Sequence, residues 1–467
     1  MGRRPYKRKL APGMVVEGMH PEGRSWGVFS GRRVYIPDAI PGELADVEVT
    51  FGGQAYLEGK IVRLLKTHDS RQKPFCRHAG ICGGCTFQHI AYPHQLILKK
   101  QLLAESLAYK GISTEALRDV IPSFPDRNYR NRLEFAFSNL RWFYDDEGRV
   151  DNYEERLAVG FSARGISGRI VDISECYLGG EEAIQIARAA RQIALESGLS
   201  FFDFKTGAGE LRSLEVRRNR AGQMQVLIGF AGIPSEAGQH FLNRLISALS
   251  EVNSWYALVW NNAYKADIPS RLWHLAGATF IQEEYNGLQL RYSAGGFSQA
   301  NLYLTDDLFI FIANHAQIEP GMHAFDLYSG SGVIGLHLAR LGARVTGIEG
   351  NADAVEDAIA NARFNRLDNC TFIRVDVLAT FNEEFMEAHG RPDVIVLDPP
   401  RSGTLKEILK NIVASGARRV IYVSCNPQAL ARDLLMLLPI YSLEILQPFD
   451  MFPHTPHLET VAVLSRR

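Results

Sequence analysis

The amino-acid sequence predicts a multi-domain α/β protein, and three features support this prediction. The chain has 467 residues, more than one ordinary hydrophobic core accommodates, so two or three domains are expected. Residues 12–65 hold short strand-like segments separated by Gly and Pro. From residue 323 onward, strand-like and helix-like segments alternate regularly. We therefore expect a small β domain, a mixed central region and a C-terminal α/β domain.

Composition favours a soluble globular protein, with 46% hydrophobic and 22% charged residues. No apolar run approaches the ~18 residues of a membrane span, and the N-terminus lacks an apolar signal core. We therefore expect a cytoplasmic protein that does not enter a membrane. The net charge is −1, but the N-terminal tail concentrates basic residues that could contact phosphate or simply be solvated. These are Arg3, Arg4, Lys7, Arg8 and Lys9.

The N-terminal segments are typical of an OB-like β-barrel, because short strands recur between Gly- and Pro-containing turns. Residues 94–111 predict a helix, since apolar residues lie on one face and Gly111 follows. Residues 126–296 mix strand-like runs such as "RLEFAFSN" with helical ones such as "EEAIQIARAARQIALESG". This mixture indicates an α+β central domain.

The C-terminal region alternates βα units, which predict a mostly parallel sheet covered on both faces and a Rossmann-like fold. In "DLYSGSGVIGL", Gly330, Gly332 and Gly335 lie between a strand and a helix, where glycines allow close approach to a nucleotide. Glu349 ends the next strand and could bind ribose hydroxyls. These features fit an NAD-dependent dehydrogenase as well as a methyltransferase.

The motif "LDPPR", residues 397–401, favours the methyltransferase. Asp398 is followed by two prolines, which fix a rigid loop at the carboxyl edge of the sheet, where open α/β folds bind ligands. Such a loop can hold a polar group beside a planar base and a methyl donor. A dehydrogenase has no particular need of it.

Two residues at strand ends suggest uracil chemistry: Cys425 in "VSCNP" and Glu459 in "HLETV". A buried thiol and a surface carboxylate are the alternative interpretations. A thiolate that adds to carbon 6 of uracil makes carbon 5 nucleophilic, and a general base then removes the carbon 5 proton. Pro400 and Arg401 occupy the place where cytosine-5 enzymes often carry another cysteine, which argues against those enzymes.

Three cysteines lie within ten residues in "CRHAGICGGC", and this clustering in a long chain favours a metal site over disulfides. Their C-x5-C-x2-C spacing places Cys76, Cys82 and Cys85 around a Gly-rich turn, and Cys176 is the candidate fourth ligand. Zinc, held by four thiolates or by three thiolates and the imidazole of His78 or His89, and an iron–sulfur cluster are both compatible with this spacing.

The chain resembles the RNA uracil-5-methyltransferase family in five ordered motifs: "FSQAN", "DLYSGSGVIGL", "LDPPRSG", "VSCNP" and "HLETV". The resemblance implies that Cys425 is the nucleophile, Glu459 the general base, and Phe297 an aromatic that stacks on the target base. It also implies a pocket for S-adenosylmethionine and the base, lined by Gln299, Tyr328, Glu349, Asp376 and Asp398. "YSGSGV" departs from the usual "FCGSGT", but Tyr keeps an aromatic face.

The resemblance further implies a TRAM barrel at 8–66, a central iron–sulfur and RNA-contact domain at 67–93 and 126–296, and a catalytic domain at 94–125 and 297–467. It favours a 4Fe-4S cluster on the four cysteines over zinc, with 23S rRNA as substrate and a monomeric enzyme. A tRNA uracil-5-methyltransferase is the second hypothesis, although that branch generally lacks the barrel and the cluster. A catalytically silent RNA-binding or ribosome-assembly factor is the third, disfavoured by the intact site motifs.

Overall fold

A computed structural model describes residues 8–52, 56–144, 147, 152–260 and 269–467. Within these ranges the chain forms three large sheets and one two-stranded hairpin. Most of the basic N-terminal tail, including Arg3, Arg4 and Lys7, lies outside the described residues. No helix in the described ranges combines the length and apolarity that crossing a membrane would need.

The N-terminal sheet has six strands in the order β1-β5-β6-β4-β3-β2. It curls so that β1 faces β3, where the Val15 carbonyl lies against Gly27 and leaves no room for a side chain. Short strands between glycine turns are what the sequence predicts here; the OB-like assignment stays a prediction. The strands are β1 (Lys9–Val15), β2 (Gly18–Met19), β3 (Ser25–Phe29), β4 (Arg32–Ile36), β5 (Leu44–Gly52) and β6 (Leu57–Lys66).

The first long helix, α1 (Tyr92–Ala108), joins the N-terminal sheet to the C-terminal domain. On one side, Leu98 and Leu102 pack with Met19 of β2 and with Ile40 in the connection between β4 and β5. Further along the helix, Leu103 and the residues after it join the core of the C-terminal sheet. The segment 67–91, which carries the clustered cysteines and is called the cysteine segment below, leads into this helix.

The central sheet has seven strands in the order β13-β12-β11-β10-β7-β8-β9. Helices α2 and α3 pack their apolar residues on one face of it, which gives a mixed α/β layer. Its elements are β7 (Arg132–Ser138), β8 (Ala158–Ser162), β9 (Ile170–Asp172), α2 (Glu181–Glu196), β10 (Leu211–Arg218), β11 (Met224–Phe230), α3 (Glu236–Ala248), β12 (Ser254–Trp260) and β13 (Pro269–Gly277).

A hairpin, β14 (Phe280–Tyr285) and β15 (Leu288–Ser293), precedes the C-terminal domain and packs into its core. The elements that follow are α4 (Thr305–Ala316), β16 (His323–Leu327), α5 (Val333–Arg340), β17 (Arg344–Glu349), α6 (Ala352–Phe364), β18 (Cys370–Arg374), α7 (Val377–Thr380), α8 (Glu383–His389), β19 (Val394–Leu397), α9 (Lys406–Ser415), β20 (Arg419–Ser424), α10 (Pro427–Leu437), β21 (Tyr441–Phe449) and β22 (Glu459–Arg466).

The C-terminal sheet has the order β18-β17-β16-β19-β20-β22-β21. The first five strands are parallel, whereas β22 runs antiparallel to both of its neighbours. Apolar cores cover the two faces, as the βα pattern predicts. Because β22 is reversed, its first residue lies at the same edge as the carboxyl ends of the parallel strands. Glu459 therefore reaches the edge where α/β sheets bind ligands.

Candidate active site

The glycine-containing loop follows β16 at this edge. Gly330 has φ +52° and open space around its Cα, and its N–H donates to Glu349 Oε2 at 3.1 Å. Behind the loop, Asp326 is fully buried and accepts a hydrogen bond from Gly335 N at 2.8 Å. Burial raises the pKa of Asp326 to about 7. The loop therefore exposes backbone and a carboxylate toward an open space.

Tyr328 and Asp376 lie at the carboxyl ends of β16 and β18. Tyr328 holds a left-handed backbone at φ +64°, and its hydroxyl is 2.7 Å from Thr404 Oγ1 in the loop after "LDPPR". Asp376 is exposed and accepts a hydrogen bond from Leu378 N at 2.9 Å, which caps α7. Both side chains thus border the same edge of the sheet as Glu349, and their part in binding a cofactor stays a prediction from the resemblance.

Gln299 and Asp398 form a direct pair. Gln299 Nε2 donates to Asp398 Oδ2 at 3.1 Å, and burial raises the pKa of Asp398 to about 7. Phe297, two residues before Gln299, keeps 57% of its side-chain surface exposed. An exposed ring next to a buried amide and carboxyl group is a suitable surface for a planar, polar base.

Cys425 and Glu459 face each other across two adjacent strands. Ser424 pairs with Thr460 in the antiparallel register. Cys425, which follows Ser424, and Glu459, which precedes Thr460, therefore stand opposite each other at the edge of the sheet. Glu459 is 3% exposed. Burial and the charge of Asp398 raise its pKa well above the ordinary range. No group within the described residues forms a hydrogen bond with Glu459 Oε1.

The break after Cys425 has a structural cause. Asn426 caps α10 by accepting a hydrogen bond from Gln428 N at 3.0 Å, and Pro427 occupies the first turn of that helix. Asn426 Nδ2 also donates to Arg401 O at 3.0 Å. These contacts fix Cys425 between a buried strand and a capped helix, next to the "LDPPR" loop.

Cys425 is a protected thiol in this structure. Its pKa is raised to about 11, mainly by burial and also by the charges of Glu459 and Asp398, while Arg401 acts in the opposite direction. Burial likewise lowers the pKa of His457 to about 4, aided by the positive charges of Arg401, Lys99 and Arg130.

Sequence motifs did not identify several residues that shape the site. Arg401 and His457 lie inside two of the motifs, yet their residue types alone assigned them no part. Asp433, on α10, accepts hydrogen bonds from Thr404 N at 3.0 Å and from the Tyr422 hydroxyl at 2.6 Å. It thereby ties the loop after Asp398 to the helix behind it. No sequence signal distinguishes it from an ordinary helical aspartate.

The four cysteines predicted to bind metal line one cavity of about 330 Å³. The pKa of Cys76 and of Cys85 is raised to about 12 and that of Cys82 to about 11, mainly by burial and to a smaller extent by neighbouring thiols. Burial also raises the pKa of Cys176. Within the part of the chain that the structure describes, no three His, Cys, Asp or Glu side chains form a group that could hold a metal ion. The predicted metal centre is therefore not confirmed.

The two histidines proposed as zinc ligands have other partners in the structure. The ring of His78 has Nδ1 at 2.6 Å from the Tyr144 hydroxyl and Nε2 at 3.0 Å from Ser174 Oγ, so both nitrogens already have partners. His89 Nδ1 lies 4.0 Å from Asp38. His78 lines the same cavity as the four thiols, but both of its ring nitrogens are taken up by other side chains, and His89 is not among the residues that line this cavity.

Known proteins are similar to this chain in sequence. A sequence model of the tRNA (uracil-5-)-methyltransferase family matches residues 280–467. Uncharacterized RNA methyltransferases of Bacteroides thetaiotaomicron and Porphyromonas gingivalis are each 32% identical to this chain. The match to the first spans 96% of this chain and 100% of the relative. The match to the second spans 97% of this chain and 99% of the relative.

A solved structure resembles the whole chain. The crystal structure of the Pyrococcus abyssi tRNA (uracil-54, C5)-methyltransferase, in complex with S-adenosyl-L-homocysteine, matches with a TM-score of 0.74 and 26% identity. The match spans 96% of this chain and 98% of the Pyrococcus abyssi chain. Together with the full-length relatives, this match agrees with the motif resemblance, and the chain belongs to the RNA uracil-5-methyltransferase family.

Proposed function

We propose that this protein methylates carbon 5 of uracil in RNA, with Cys425 as nucleophile and Glu459 as general base. The observation that carries the proposal is the register of β20 and β22, which sets Cys425 opposite Glu459. The pair of Gln299 and Asp398 supports it, because an amide beside a carboxyl group can match the N3–H and O4 of uracil. The exposed ring of Phe297 offers a stacking surface for the unstacked base.

The residues of the glycine loop fit S-adenosylmethionine. The open space at Gly330 leaves room for a ligand, and Glu349 and Asp376 place carboxylates along the same edge, which suits ribose hydroxyls and a cationic sulfonium. When bound, S-adenosylmethionine supplies the methyl group that carbon 5 of uracil takes up. We infer that Tyr328, Glu349, Asp376, Asp398 and Gln299 hold this donor and the base together.

Cys425 makes carbon 5 reactive. Its sulfur forms a bond to carbon 6, and the electrons of the 5,6 double bond shift toward O4, so carbon 5 of the resulting enolate can accept a methyl group. The buried, negatively charged surroundings keep the thiol protonated in the free protein. Binding of a cationic donor and of RNA should change those surroundings and favour the thiolate, which confines reactivity to the assembled complex.

Glu459 completes the reaction by taking the proton from carbon 5. The electron pair of that C–H bond restores the 5,6 double bond, and the C6–S bond breaks to release the thiolate. A buried carboxylate whose pKa lies well above its ordinary range is a strong base once it is ionised.

Two substitutions test this mechanism. Cys425→Ala should bind S-adenosylmethionine but neither methylate RNA nor form a covalent complex. Glu459→Gln should form the methylated covalent adduct and fail to release it, so the adduct should survive a denaturing gel. Wild-type protein with 5-fluorouridine RNA should give the same band, since fluorine does not leave as a proton does. Full activity in Cys425→Ala would exclude the mechanism.

We propose 23S rRNA as the substrate, on the strength of the motif resemblance. A second candidate, tRNA, is favoured by a specific observation: the Pyrococcus abyssi tRNA enzyme aligns with 96% of this chain. A tRNA enzyme of this overall shape weakens the expectation that an N-terminal barrel and a cysteine cluster mark rRNA enzymes.

Nucleoside mapping distinguishes the two substrates. Loss of 5-methyluridine from 23S rRNA in cells that lack the gene, with tRNA unchanged, would support the rRNA assignment. The reverse pattern would establish the tRNA assignment. Restoration by the wild-type gene, but not by a Cys425→Ala copy, would tie the change to the catalytic site.

We also propose that Cys76, Cys82, Cys85 and Cys176 hold a 4Fe-4S cluster. Four thiols line one cavity, and such clusters use four thiolates; because no three of these side chains form a metal-holding group in the described residues, the thiols must move together when the cluster is inserted. Protein purified without oxygen should contain iron and sulfide. Cys176→Ala should lose them, while Cys370→Ala, which changes a cysteine outside this cavity, should keep them. Stoichiometric zinc without iron would contradict the proposal.

The remaining domains fit RNA binding. We propose 8–66 as a TRAM barrel, 67–93 with 126–296 as the central RNA-contact domain, and 94–125 with 297–467 as the catalytic domain. Packing of Leu103 and later residues against the C-terminal sheet supports the last assignment. Limited proteolysis should cut between these units before it cuts within them.

A further inference from the structure

The loop that precedes Glu459 is held from outside its own domain. This loop, residues 450–458, is called the base loop here; it connects β21 to β22 and ends directly at Glu459. At its start, a fully buried ion pair joins Asp450 to Lys99 of α1. Lys99 Nζ also donates to Phe452 O at 3.0 Å. The first turn of the base loop is thereby fixed to α1.

One side chain of α1 connects the base loop to the cysteine segment. Gln95 is fully buried, and its Oε1 accepts a hydrogen bond from His454 N at 2.9 Å. Its Nε2 lies 2.8 Å from Ile90 O, 3.1 Å from Phe87 O and 3.2 Å from His454 Nδ1. A single amide therefore satisfies polar groups from two segments that are far apart in sequence.

The cysteine segment also contacts the base loop directly. Thr86 N and Phe87 N both donate to His454 O at 3.0 Å, immediately after Cys85. His454 holds a left-handed backbone at φ +64°, which costs free energy for a residue with a Cβ and persists only when its surroundings enforce it. The hydrogen bonds that His454 makes with Gln95, Thr86 and Phe87 hold its backbone in this conformation.

We propose that Gln95 is a positioning residue for Glu459, acting through His454 and the base loop. The proposal rests on the proposed function, in which Glu459 removes the carbon 5 proton. If the amide is removed, His454 N and the carbonyl groups of Phe87 and Ile90 lose a buried partner, and the loop can shift to find others. Proton transfer requires hydrogen-bond reach, so a small displacement of Glu459 slows elimination more than it slows attack by Cys425.

Two variants and one matched control test this role. Gln95→Met keeps the approximate volume and removes every hydrogen bond, whereas His454→Asn tolerates the left-handed backbone but removes the ring. Ser106→Ala is the control, since Ser106 is a buried polar residue of the same helix whose hydroxyl donates only within the helix, to Leu102 O at 2.8 Å. Each full-length protein is assayed for S-adenosylmethionine binding, single-turnover formation of the RNA adduct and steady-state turnover.

Gln95→Met and His454→Asn should each lower turnover at least tenfold, while S-adenosylmethionine affinity and the rate of adduct formation stay within about twofold of wild type. Methylated adduct should therefore accumulate, as in Glu459→Gln, and Ser106→Ala should show no accumulation. If adduct formation and turnover fall in parallel in both variants, or if turnover is unchanged in both, the positioning role is wrong. Absence of any adduct in wild-type protein with 5-fluorouridine RNA would instead refute the proposed function itself.

Discussion

Cys425, the proposed nucleophile, should be unusually unreactive in the ligand-free protein, and alkylation of its thiol measures this. The pKa of its thiol is raised from about 9 to about 11, first by burial and then by the charges of Glu459 and Asp398. At pH 8, about one thiol in ten would be ionised at the ordinary pKa and about one in a thousand at the raised pKa. Because only the thiolate reacts, iodoacetamide should label Cys425 about 100-fold more slowly than a model peptide.

Quantitative mass spectrometry of the peptide that contains Cys425 gives the rate at each pH. Labelling should rise about tenfold per pH unit between pH 7 and 10, because that range lies below the raised pKa. A thiol of ordinary pKa that is merely hard to reach would instead level off near pH 9. Glu459→Gln should accelerate labelling but leave it slower than the peptide, since burial is the larger cause. Labelling of wild type as fast as the peptide at pH 8 would refute this reasoning.

Three further predictions concern stability and RNA binding. The pKa of buried Asp326 is raised to about 7, so its contribution to the free energy of unfolding is present below about pH 4 and is lost as the pH rises through 7. At 1.36 kcal/mol per pH unit, the loss over this range is about 4 kcal/mol. Thermal melts from pH 4 to 7 should show this loss in wild type relative to Asp326→Asn. Lys99→Met leaves Asp450 buried without its partner and should destabilise the protein by about 3–5 kcal/mol, and a double variant with Asp450→Leu should recover most of the loss. Replacing the five basic residues of the N-terminal tail by Ser should weaken RNA binding and reduce its salt dependence. The slope of log K against log[salt] should become shallower by about 0.7–0.9 for each phosphate contact removed. An unchanged slope would show that the tail makes no phosphate contact.

Local sequence patterns predicted the elements around the site because each is fixed by neighbouring residues. The glycines before α5, the prolines after Asp398 and the Cys-Asn-Pro sequence before α10 each specify a turn at the end of a strand. The four cysteines were predicted to gather, and the structure places them around one cavity. Zinc and an iron–sulfur cluster both stay predictions, and the spacing of the cysteines does not show that the His78 ring lies within hydrogen-bond distance of Tyr144 and Ser174.

Features that depend on distant partners were not predictable in the same way. Strand β21 is not evident from the sequence, because Pro448 and the mixed polarity of "YSLEILQPF" are unusual for a central strand. The structure places β21 at the edge of the sheet, where a proline is tolerated. The antiparallel direction of β22 has no local signal, although it is what brings Glu459 to Cys425. Gln95 and Asp433 likewise resemble ordinary helical residues until their partners are known.

The sequence distance between Gln95 and His454, 359 residues, has a consequence for how the enzyme forms. During synthesis, domains generally fold in order from the N-terminus, so α1 and the cysteine segment exist long before the base loop emerges from the ribosome. Contacts of such long range also form slowly, because closing a long loop costs chain entropy before any bond repays it. Docking of the base loop should therefore be a late step in maturation. If the proposed function is correct, a nascent chain would carry the regions proposed to contact RNA well before it could release a methylated product.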